Sequence, residues 1–180
     1  MRTIALYGGS FDPPHLGHEA VVKALLQLEE IDEIIVMPTY LSPFKESVFA
    51  DAKRRLEWLR EIFSSYERVL VDAFEVQKGE KTPTIKTVEY LLKSYECIYV
   101  VIGADMLESL QRWHQFDALK RKVNFIVTTR DGIKIPQEFI QLKIDKDISS
   151  TALRRKMNKE QLCTINAEEI YNYYKEKNEQ

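Results

Sequence analysis

The stretch Ile4–His18, IALYGGSFDPPHLGH, places an apolar run directly before two glycines and a segment with two histidines. A strand that ends in glycines and opens into a helix often builds a phosphate site, because the amides of a helix N-terminus attract anions. Gly8 and Gly9 allow positive φ and a close approach of the backbone to a ligand. The stretch therefore predicts a nucleotide triphosphate site at the carboxyl end of the first strand.

The histidine pair supports the same interpretation. His15 and His18 lie three residues apart, so both face one side if they occupy the first helical turn, with ring N–H groups directed at an anion. Two ordinary explanations compete, namely a tight turn at the glycines and packed or solvated histidines. A zinc site is disfavoured, since the chain has three histidines, two cysteines and no Cys-x-x-Cys. No metal-ligating side chain is predicted.

The two common phosphate-loop signatures are missing from the sequence. Gly-x-x-x-x-Gly-Lys-Ser/Thr does not occur, which argues against a P-loop. Gly-x-Gly-x-x-Gly does not occur either, which argues against a simple dinucleotide-binding fold. A different kind of phosphate site is expected.

Composition limits the class of protein. The chain has 180 residues, 44% of them hydrophobic, and a net charge of −2 from 26 basic and 28 acidic residues. This size predicts a single domain over residues 1–180, and the charge balance argues against a nucleic-acid partner. Neither a signal segment nor a membrane-length apolar run is evident. With only Cys97 and Cys163, no disulfide framework is expected, and a cytoplasmic location is predicted.

Short β-rich runs alternate with amphipathic stretches along the chain. This βαβ rhythm predicts an α/β fold with a Rossmann-like, doubly wound parallel sheet, helices on both faces and a small helical C-terminal segment at about 149–178. The predicted strands are Thr3–Tyr7, Glu33–Met37, Arg68–Ala73, Ile98–Ile102, Asn124–Thr128 and Gln141–Ile144. The predicted helices are Gly17–Leu28, Asp51–Phe63, Thr84–Lys93, Asp105–Leu110, Gln115–Lys120, Lys159–Thr164 and Ala167–Lys175.

A second candidate anion site lies in the final third, where residues 148–155 read ISSTALRR. Ser149 or Ser150 can cap the helix that follows and leave its amides free for an anion, with Arg154 one turn from Ser150. Taken alone, the segment is more typical of a plain helix cap with solvated arginines. The last predicted helix carries Ile170 and three tyrosines, and we expect it to pack on its own domain, with a homo-oligomer as the alternative.

Together, the motifs GGSFDPPHLGH and ISSTxxR resemble those of the nucleotidyltransferase superfamily that transfers AMP or CMP. Within it, the chain resembles the bacterial nicotinate-mononucleotide adenylyltransferases, which make deamido-NAD from ATP and nicotinate mononucleotide. Supporting segments are Val36–Pro38 with Pro43–Lys45, Thr84–Thr87, and Ile102–Leu107 leading to Trp113. The resemblance spans residues 1–156 in the family's order.

The resemblance assigns roles to residues by position. The implied catalytic residues, which stabilise phosphate charge, are His15, His18, Lys45 and Arg154. The implied ATP-binding residues are Gly8, Gly9, Ser10, Gly103, Asp105, Ser149, Ser150 and Thr151, with Asp105 on a ribose hydroxyl. Thr84 and Trp113 are the implied acceptor-binding residues, with Trp113 stacking on the nicotinate ring. Mg²⁺ is the implied cofactor, bound with ATP.

Three positions depart from the family pattern. Phe44 stands where many members have histidine before the lysine, Lys86 where an acidic residue is common, and His114 where tyrosine is frequent. The alternatives are related adenylyltransferases using nicotinamide mononucleotide, phosphopantetheine or FMN, and a non-catalytic nucleotide-binding module. The Thr84–Thr87 run and Trp113 argue against the phosphopantetheine and FMN enzymes, and the intact histidine pair with Arg154 argues against the module.

Overall fold

Six parallel strands form one sheet in the computed structural model, which describes residues 2–180. The strands are β1 (Thr3–Gly9), β2 (Glu33–Pro38), β3 (Val69–Val71), β4 (Cys97–Gly103), β5 (Asn124–Thr128) and β6 (Ile140–Leu142). Their spatial order is β3-β2-β1-β4-β5-β6, and all neighbours pair in parallel. The predicted Rossmann-like fold is confirmed. The order reverses between β1 and β4, so a ligand crevice is expected at their carboxyl ends.

The central strands are apolar on both faces, because helices cover the sheet from either side. Ile4 and Leu6 of β1 pack into one cluster, whereas Ala5 packs into the other. Ile4 and Ala5 are completely buried. This double burial explains why β1, β2 and β4 read as continuous apolar runs rather than as alternating ones.

Seven helices connect or follow these strands within residues 2–180. They are α1 (Leu16–Leu25), α2 (Ala52–Phe63), α3 (Phe74–Lys78), α4 (Thr84–Leu91), α5 (Phe116–Leu119), α6 (Ser150–Arg155) and α7 (Ala167–Asn178). The helices α1 and α2 pack on one face of the sheet, and α4 and α5 pack on the other. None of these helices is long and apolar enough to cross a bilayer.

The C-terminal helices form a third apolar cluster against α2. Trp58 of α2 is 1% exposed and packs with Leu153 of α6 and with Ile170 and Tyr174 of α7. The last helix therefore packs on its own chain, as expected, through its buried face. This packing brings the C-terminal helices against residues 12–16, which follow the carboxyl end of β1.

Several predicted boundaries are wrong. The helix predicted at Lys159–Thr164 is replaced by two short 3₁₀ turns, Lys159–Gln161 and Thr164–Asn166. The stretch predicted as an α-helix after β4 is a 3₁₀ run, Ala104–Arg112. The helix α3, which is five residues long and ends at Gly79 with φ 65°, was not predicted from the sequence. Helices commonly end at a glycine in the left-handed region, so Gly79 was the feature of the sequence that could have indicated α3.

Candidate active site

The two histidines form a reciprocal cap at the start of α1. His15 is the N-cap residue, and its Nδ1 accepts a hydrogen bond from the Gly17 N–H at 3.0 Å. The Nδ1 of His18 accepts one from the His15 N–H at 3.1 Å. The rings stack with centroids 3.7 Å apart. Because both Nδ1 atoms act as acceptors, the neutral rings carry their protons on Nε2. These Nε2–H groups have no protein partner within residues 2–180.

Burial keeps both imidazoles neutral. Burial, reinforced by the Arg130 guanidinium, lowers the pKa of His15 to about 3. Burial also holds the pKa of His18 well below its ordinary value, with His15 and Arg130 acting in the same direction. At neutral pH the pair therefore offers two neutral N–H donors.

Glycine at position 17 has a packing reason. A Cβ there would lie 2.8 Å from Cε1 of the His15 ring, which is too close for any side chain. The positive φ expected at Gly8 and Gly9 is not observed, because both residues lie in the extended strand β1. The left-handed residue of this run is Phe11, with φ 49°. Gly8 and Gly9 instead keep the end of β1 free of side chains.

The helix α6 joins the histidine run from the far end of the sequence. Ser149 is its N-cap residue, and its Oγ accepts from the Ala152 N–H at 3.3 Å. Ser150 donates its hydroxyl to the Pro13 carbonyl at 2.9 Å. The two motifs lie against each other, and the first-turn amides of α6 lie beside residues 12–13.

Arg154 spans both segments. Its Nη1 donates to the Asp12 carbonyl at 2.5 Å, and its Nη2 donates to the Thr151 hydroxyl at 3.2 Å. The guanidinium also lies over the Phe49 ring, with Cζ 5.4 Å from the ring centroid. Arg154 is half-buried, whereas Thr151 is exposed.

Lys45 lies across from the glycines. Its Nζ donates to the Ser10 hydroxyl at 3.2 Å. Burial and the nearby Arg154 guanidinium lower the pKa of Lys45. Since cations repel one another, an anion between Lys45 and Arg154 would be stabilised by both.

A cavity of about 320 Å³ opens beside the ends of β1 and β4. Its lining joins the phosphate-side residues Gly8, Gly9, Ser10 and Lys45 to the acceptor-side residues Thr84 and Trp113. His15, His18, Asp105, Arg154 and Ser149–Thr151 lie outside that lining. The predicted residues thus fall into two adjoining groups.

Glu75 is a cavity residue that the sequence analysis missed. It is 6% exposed, and its carboxylate accepts from the Thr87 hydroxyl at 2.5 Å. Burial raises the pKa of Glu75 to about 7, although the bond from Thr87 opposes this shift. A single acidic residue gives no such signal in the sequence, because only the packing of α3 against the sheet buries it.

Arg55 and Arg130 are two further residues without a predicted role. The fully buried Arg55 guanidinium donates to four carbonyls, those of Ala50, Ser10, Thr39 and Tyr40. Arg130 follows β5 and bonds to Asp147 at 3.0 Å. The position of Arg130 just after a predicted strand could have indicated a site residue. In the sequence, Arg55 cannot be told apart from the solvent-exposed arginines and lysines of its helix.

The adenosine-side residues lie at the end of β4, where Gly103 lines the cavity and Asp105 lies outside its lining. Gly103 ends β4, and the exposed Asp105 follows it, with Oδ1 3.9 Å from Nε of Arg130.

The three departures from the family pattern lie in different parts of the structure. Phe44 and His114 line the cavity, whereas the exposed Lys86 pairs with Glu89 on the outer surface of α4.

Comparison with known proteins gives the family. The cytidylyltransferase-like family model matches residues 6–156. A protein of Sulfurimonas denitrificans named "Probable nicotinate-nucleotide adenylyltransferase" is 52% identical over 98% of this chain and 97% of its own. The chain belongs to the cytidylyltransferase-like family, among the nicotinate-nucleotide adenylyltransferases. Relatives of the same name are 47% identical in Nitratiruptor sp., over 96% of this chain and 98% of theirs, and 41% identical in Campylobacter fetus, over 97% and 98%.

Solved structures of the adenylyltransferase fold agree with the architecture. The Plasmodium falciparum nicotinic acid mononucleotide adenylyltransferase complexed with NaAD has a TM-score of 0.78 at 24% identity, covering 99% of this chain and 97% of its own. The same protein complexed with APC has a TM-score of 0.74. This likeness supports the fold of the adenylyltransferase, including its C-terminal segment.

Proposed function

We propose that this enzyme transfers AMP from ATP to nicotinate mononucleotide, releasing deamido-NAD and pyrophosphate. One observation supports the assignment most strongly. His15 and His18 use Nδ1 to cap each other and α1, which leaves two neutral Nε2–H donors in the same run that Arg154 and Lys45 contact at Asp12 and Ser10. Such an array stabilises anionic phosphate oxygens and does not act as a base, which is what adenylyl transfer requires.

The nucleophile needs no activation by the protein. A phosphate monoester has a second pKa of about 6, so the 5′-phosphate of nicotinate mononucleotide is largely a dianion at neutral pH. One of its oxygens forms a bond to the α-phosphorus of ATP, while the bond from that phosphorus to the bridging oxygen breaks. The electron pair leaves with pyrophosphate, and no proton has to move in this step.

The charge-stabilising residues share this task. We assign Nε2–H of His15 and His18 to oxygens of the ATP phosphates, and Arg154 with the first turn of α6 to the departing pyrophosphate. Lys45 lies between the histidine run and the cavity, so it suits the charge that gathers where the two phosphates meet. Donors of this kind are each worth about 2.7–4 kcal/mol of barrier lowering in other enzymes.

The cavity suits the acceptor. Helix α4 begins at Thr84 after Pro83, with no side-chain cap, so its first amides are available to a carboxylate. Trp113 offers a half-buried ring face in the same cavity. We therefore assign the nicotinate carboxylate to the start of α4 and the pyridine ring to Trp113, with Gly103 and Asp105 on the adenosine side.

Mg²⁺ enters this proposal as part of the substrate, bound to ATP. Within residues 2–180 there is no group of three or more His, Cys, Asp or Glu side chains placed to hold a metal ion. Asp12 is the carboxylate nearest the phosphate run in sequence, and three protein donors already occupy it. These side chains do not fit a metal ion held by the protein itself.

The assignment is tested by turnover with different acceptors. The protein is incubated with ATP and Mg²⁺ and either nicotinate mononucleotide, nicotinamide mononucleotide, FMN or phosphopantetheine, and pyrophosphate release is measured. We expect the highest kcat/KM with nicotinate mononucleotide. Faster turnover of another acceptor would overturn the substrate, and no pyrophosphate with any acceptor would instead identify a nucleotide-binding module.

A further inference from the structure

One face of the last helix, α7, reaches three separate segments of the phosphate site. Tyr174 donates its hydroxyl to Asp12 Oδ1. Lys177 donates from Nζ to the Phe49 carbonyl at 2.5 Å, and Asn178 donates from Nδ2 to the Arg154 carbonyl at 2.8 Å. Positions 174, 177 and 178 share a helix face, because residues three and four apart are neighbours on a helix.

Asp12 is the point where these segments meet. It is 2% exposed, and its carboxylate accepts from the Phe49 N–H at 2.8 Å and the Ala50 N–H at 3.0 Å, in addition to Tyr174. Its carbonyl accepts from Arg154. One buried residue thereby sets the position of the loop before α2 and of the guanidinium assigned to the phosphates.

We propose that α7 is a positioning element for the triphosphate site, with Tyr174 acting through Asp12 on Arg154. The inference rests on the function proposed above. It is independent of the family match, which ends at residue 156, before α7 begins. Tyr174 touches neither substrate nor reacting atoms in this assignment, so it is a positioning residue and not a catalytic one.

The physical reason is the cost of a buried carboxylate that lacks a donor. Removing the Tyr174 hydroxyl leaves Asp12 with two amide donors in a site from which water is excluded. The carboxylate then competes for the Arg154 guanidinium, which already bonds to the carbonyl of the same residue. Arg154 drawn toward Asp12 is less available to the phosphates of ATP. The acceptor cavity, which neither Asp12 nor Arg154 lines, keeps its geometry.

The test compares Tyr174→Phe with Tyr173→Phe. The first substitution keeps a ring that is completely buried and removes only its hydroxyl, whereas Tyr173 is half-buried and its hydroxyl has no protein partner within residues 2–180. For Tyr174→Phe we expect KM for ATP and the inhibition constant of pyrophosphate to rise about fivefold, with KM for nicotinate mononucleotide unchanged. Tyr173→Phe should match the unmodified enzyme.

Two results would overturn the proposal. One is a folded Tyr174→Phe protein with unchanged constants for ATP and pyrophosphate. The other is an equal rise in both KM values, which would indicate general loosening of the fold. If Tyr174→Phe does not fold, the exposed pair Lys177→Ala/Asn178→Ala decides, with Lys175→Ala as control. We expect about a threefold rise in KM for ATP from the pair, and an unchanged value rejects the inference.

A binding measurement separates this inference from the proposed function. Titration of ATP without acceptor, followed by calorimetry, reports the phosphate site whether or not turnover occurs. Weaker ATP binding by Tyr174→Phe supports the positioning role even if the unmodified protein transfers nothing to nicotinate mononucleotide. Equal ATP binding by both proteins contradicts it even if turnover is normal.

Discussion

The phosphate side and the acceptor cavity are built on opposite principles. On the phosphate side the groups that set the geometry are bonded within the protein: the Nδ1 atoms of His15 and His18 each accept a backbone N–H, and Asp12 takes three donors. In the cavity, Nε1 of Trp113 and Oγ1 of Thr39 are buried without any partner among residues 2–180. Buried polar atoms are nearly always hydrogen-bonded, so two orphans in one cavity indicate groups that a ligand completes.

The phosphate side and the acceptor cavity therefore contribute to different kinetic constants. Fixed donors on the phosphate side need no rearrangement as charge shifts during transfer, so they act on kcat. Groups in the cavity gain partners when the acceptor binds, so they act mainly on its KM. Substitutions on the two sides should therefore separate in kinetics, with changes in kcat on the phosphate side and changes in the acceptor's KM at the cavity.

The largest effect is expected for His18→Ala. It removes one Nε2–H donor, and we expect kcat to fall about 1,000-fold. It also removes the acceptor for the His15 N–H, so the free energy of unfolding should fall by about 1 kcal/mol. Steady-state kinetics and chemical denaturation measure the two effects. His18→Asn serves as control, because its side-chain oxygen can restore the cap while kcat stays low; near-normal transfer by either variant contradicts the assignment.

His15, on the phosphate side, should make the protein less stable as the pH falls. The pKa of His15 is lowered to about 3 in the folded protein, so below the ordinary value of about 6.5 only the unfolded chain takes up a proton. The contribution of His15 then falls by about 1.4 kcal/mol for each pH unit between about 6.5 and 3. Denaturation of the unmodified protein and of His15→Asn at pH 6.5 and 5 measures this slope. If the unfolding free energies of the two proteins fall equally between pH 6.5 and 5, His15 is not the cause of the pH dependence.

Glu75, in the cavity, should make the protein less stable as the pH rises. The pKa of Glu75 is raised to about 7 in the folded protein, so the folded state holds the proton longer than the unfolded state does. Stability due to Glu75 is therefore present below about pH 4.5 and is lost at about 1.4 kcal/mol per pH unit up to about pH 7. Glu75→Gln keeps an acceptor for Thr87 and removes the titration. Its advantage in unfolding free energy over the unmodified protein should grow between pH 5 and 7, and a constant difference would contradict the prediction.

A moderate effect is expected for Trp113→Ala. Loss of the ring face should raise KM for nicotinate mononucleotide about tenfold, while KM for ATP and kcat change little. Trp113→Phe retains an aromatic face and should recover most of the affinity. A rise of similar size in KM for ATP would contradict the separation of the phosphate side from the acceptor cavity.

The smallest effect is expected for Lys86→Ala. Lys86 is exposed, pairs with Glu89 at 3.1 Å and does not line the cavity. An exposed pair of this kind is worth about 0.2–1 kcal/mol in stability, and both KM values should stay within about twofold. Lys93→Ala, another exposed lysine, gives the baseline. A larger change in KM for the acceptor would show that this departure from the family pattern reaches the substrate.

The sequence determined the alternation of strands and helices, because hydrophobic periodicity and burial on both sheet faces are written into each segment. It also placed Gly8, His15, His18 and Arg154 at the ends of those segments, where parallel sheets bind ligands. The roles of these site residues stay predictions until the experiments above are done. Local propensity could not decide the 3₁₀ runs after β4 and before α7, since short helices depend on tertiary packing.

Only the tertiary structure decided how the polar groups are used. It gave both histidines a capping role that leaves their Nε2–H groups without a partner among residues 2–180, buried Glu75 against Thr87, and brought Tyr174 to Asp12 across 162 residues. Each of these depends on contacts between segments far apart in the chain. Sequence patterns record which face of an element is apolar, but hydrogen bonds and desolvation depend on what is packed against that face.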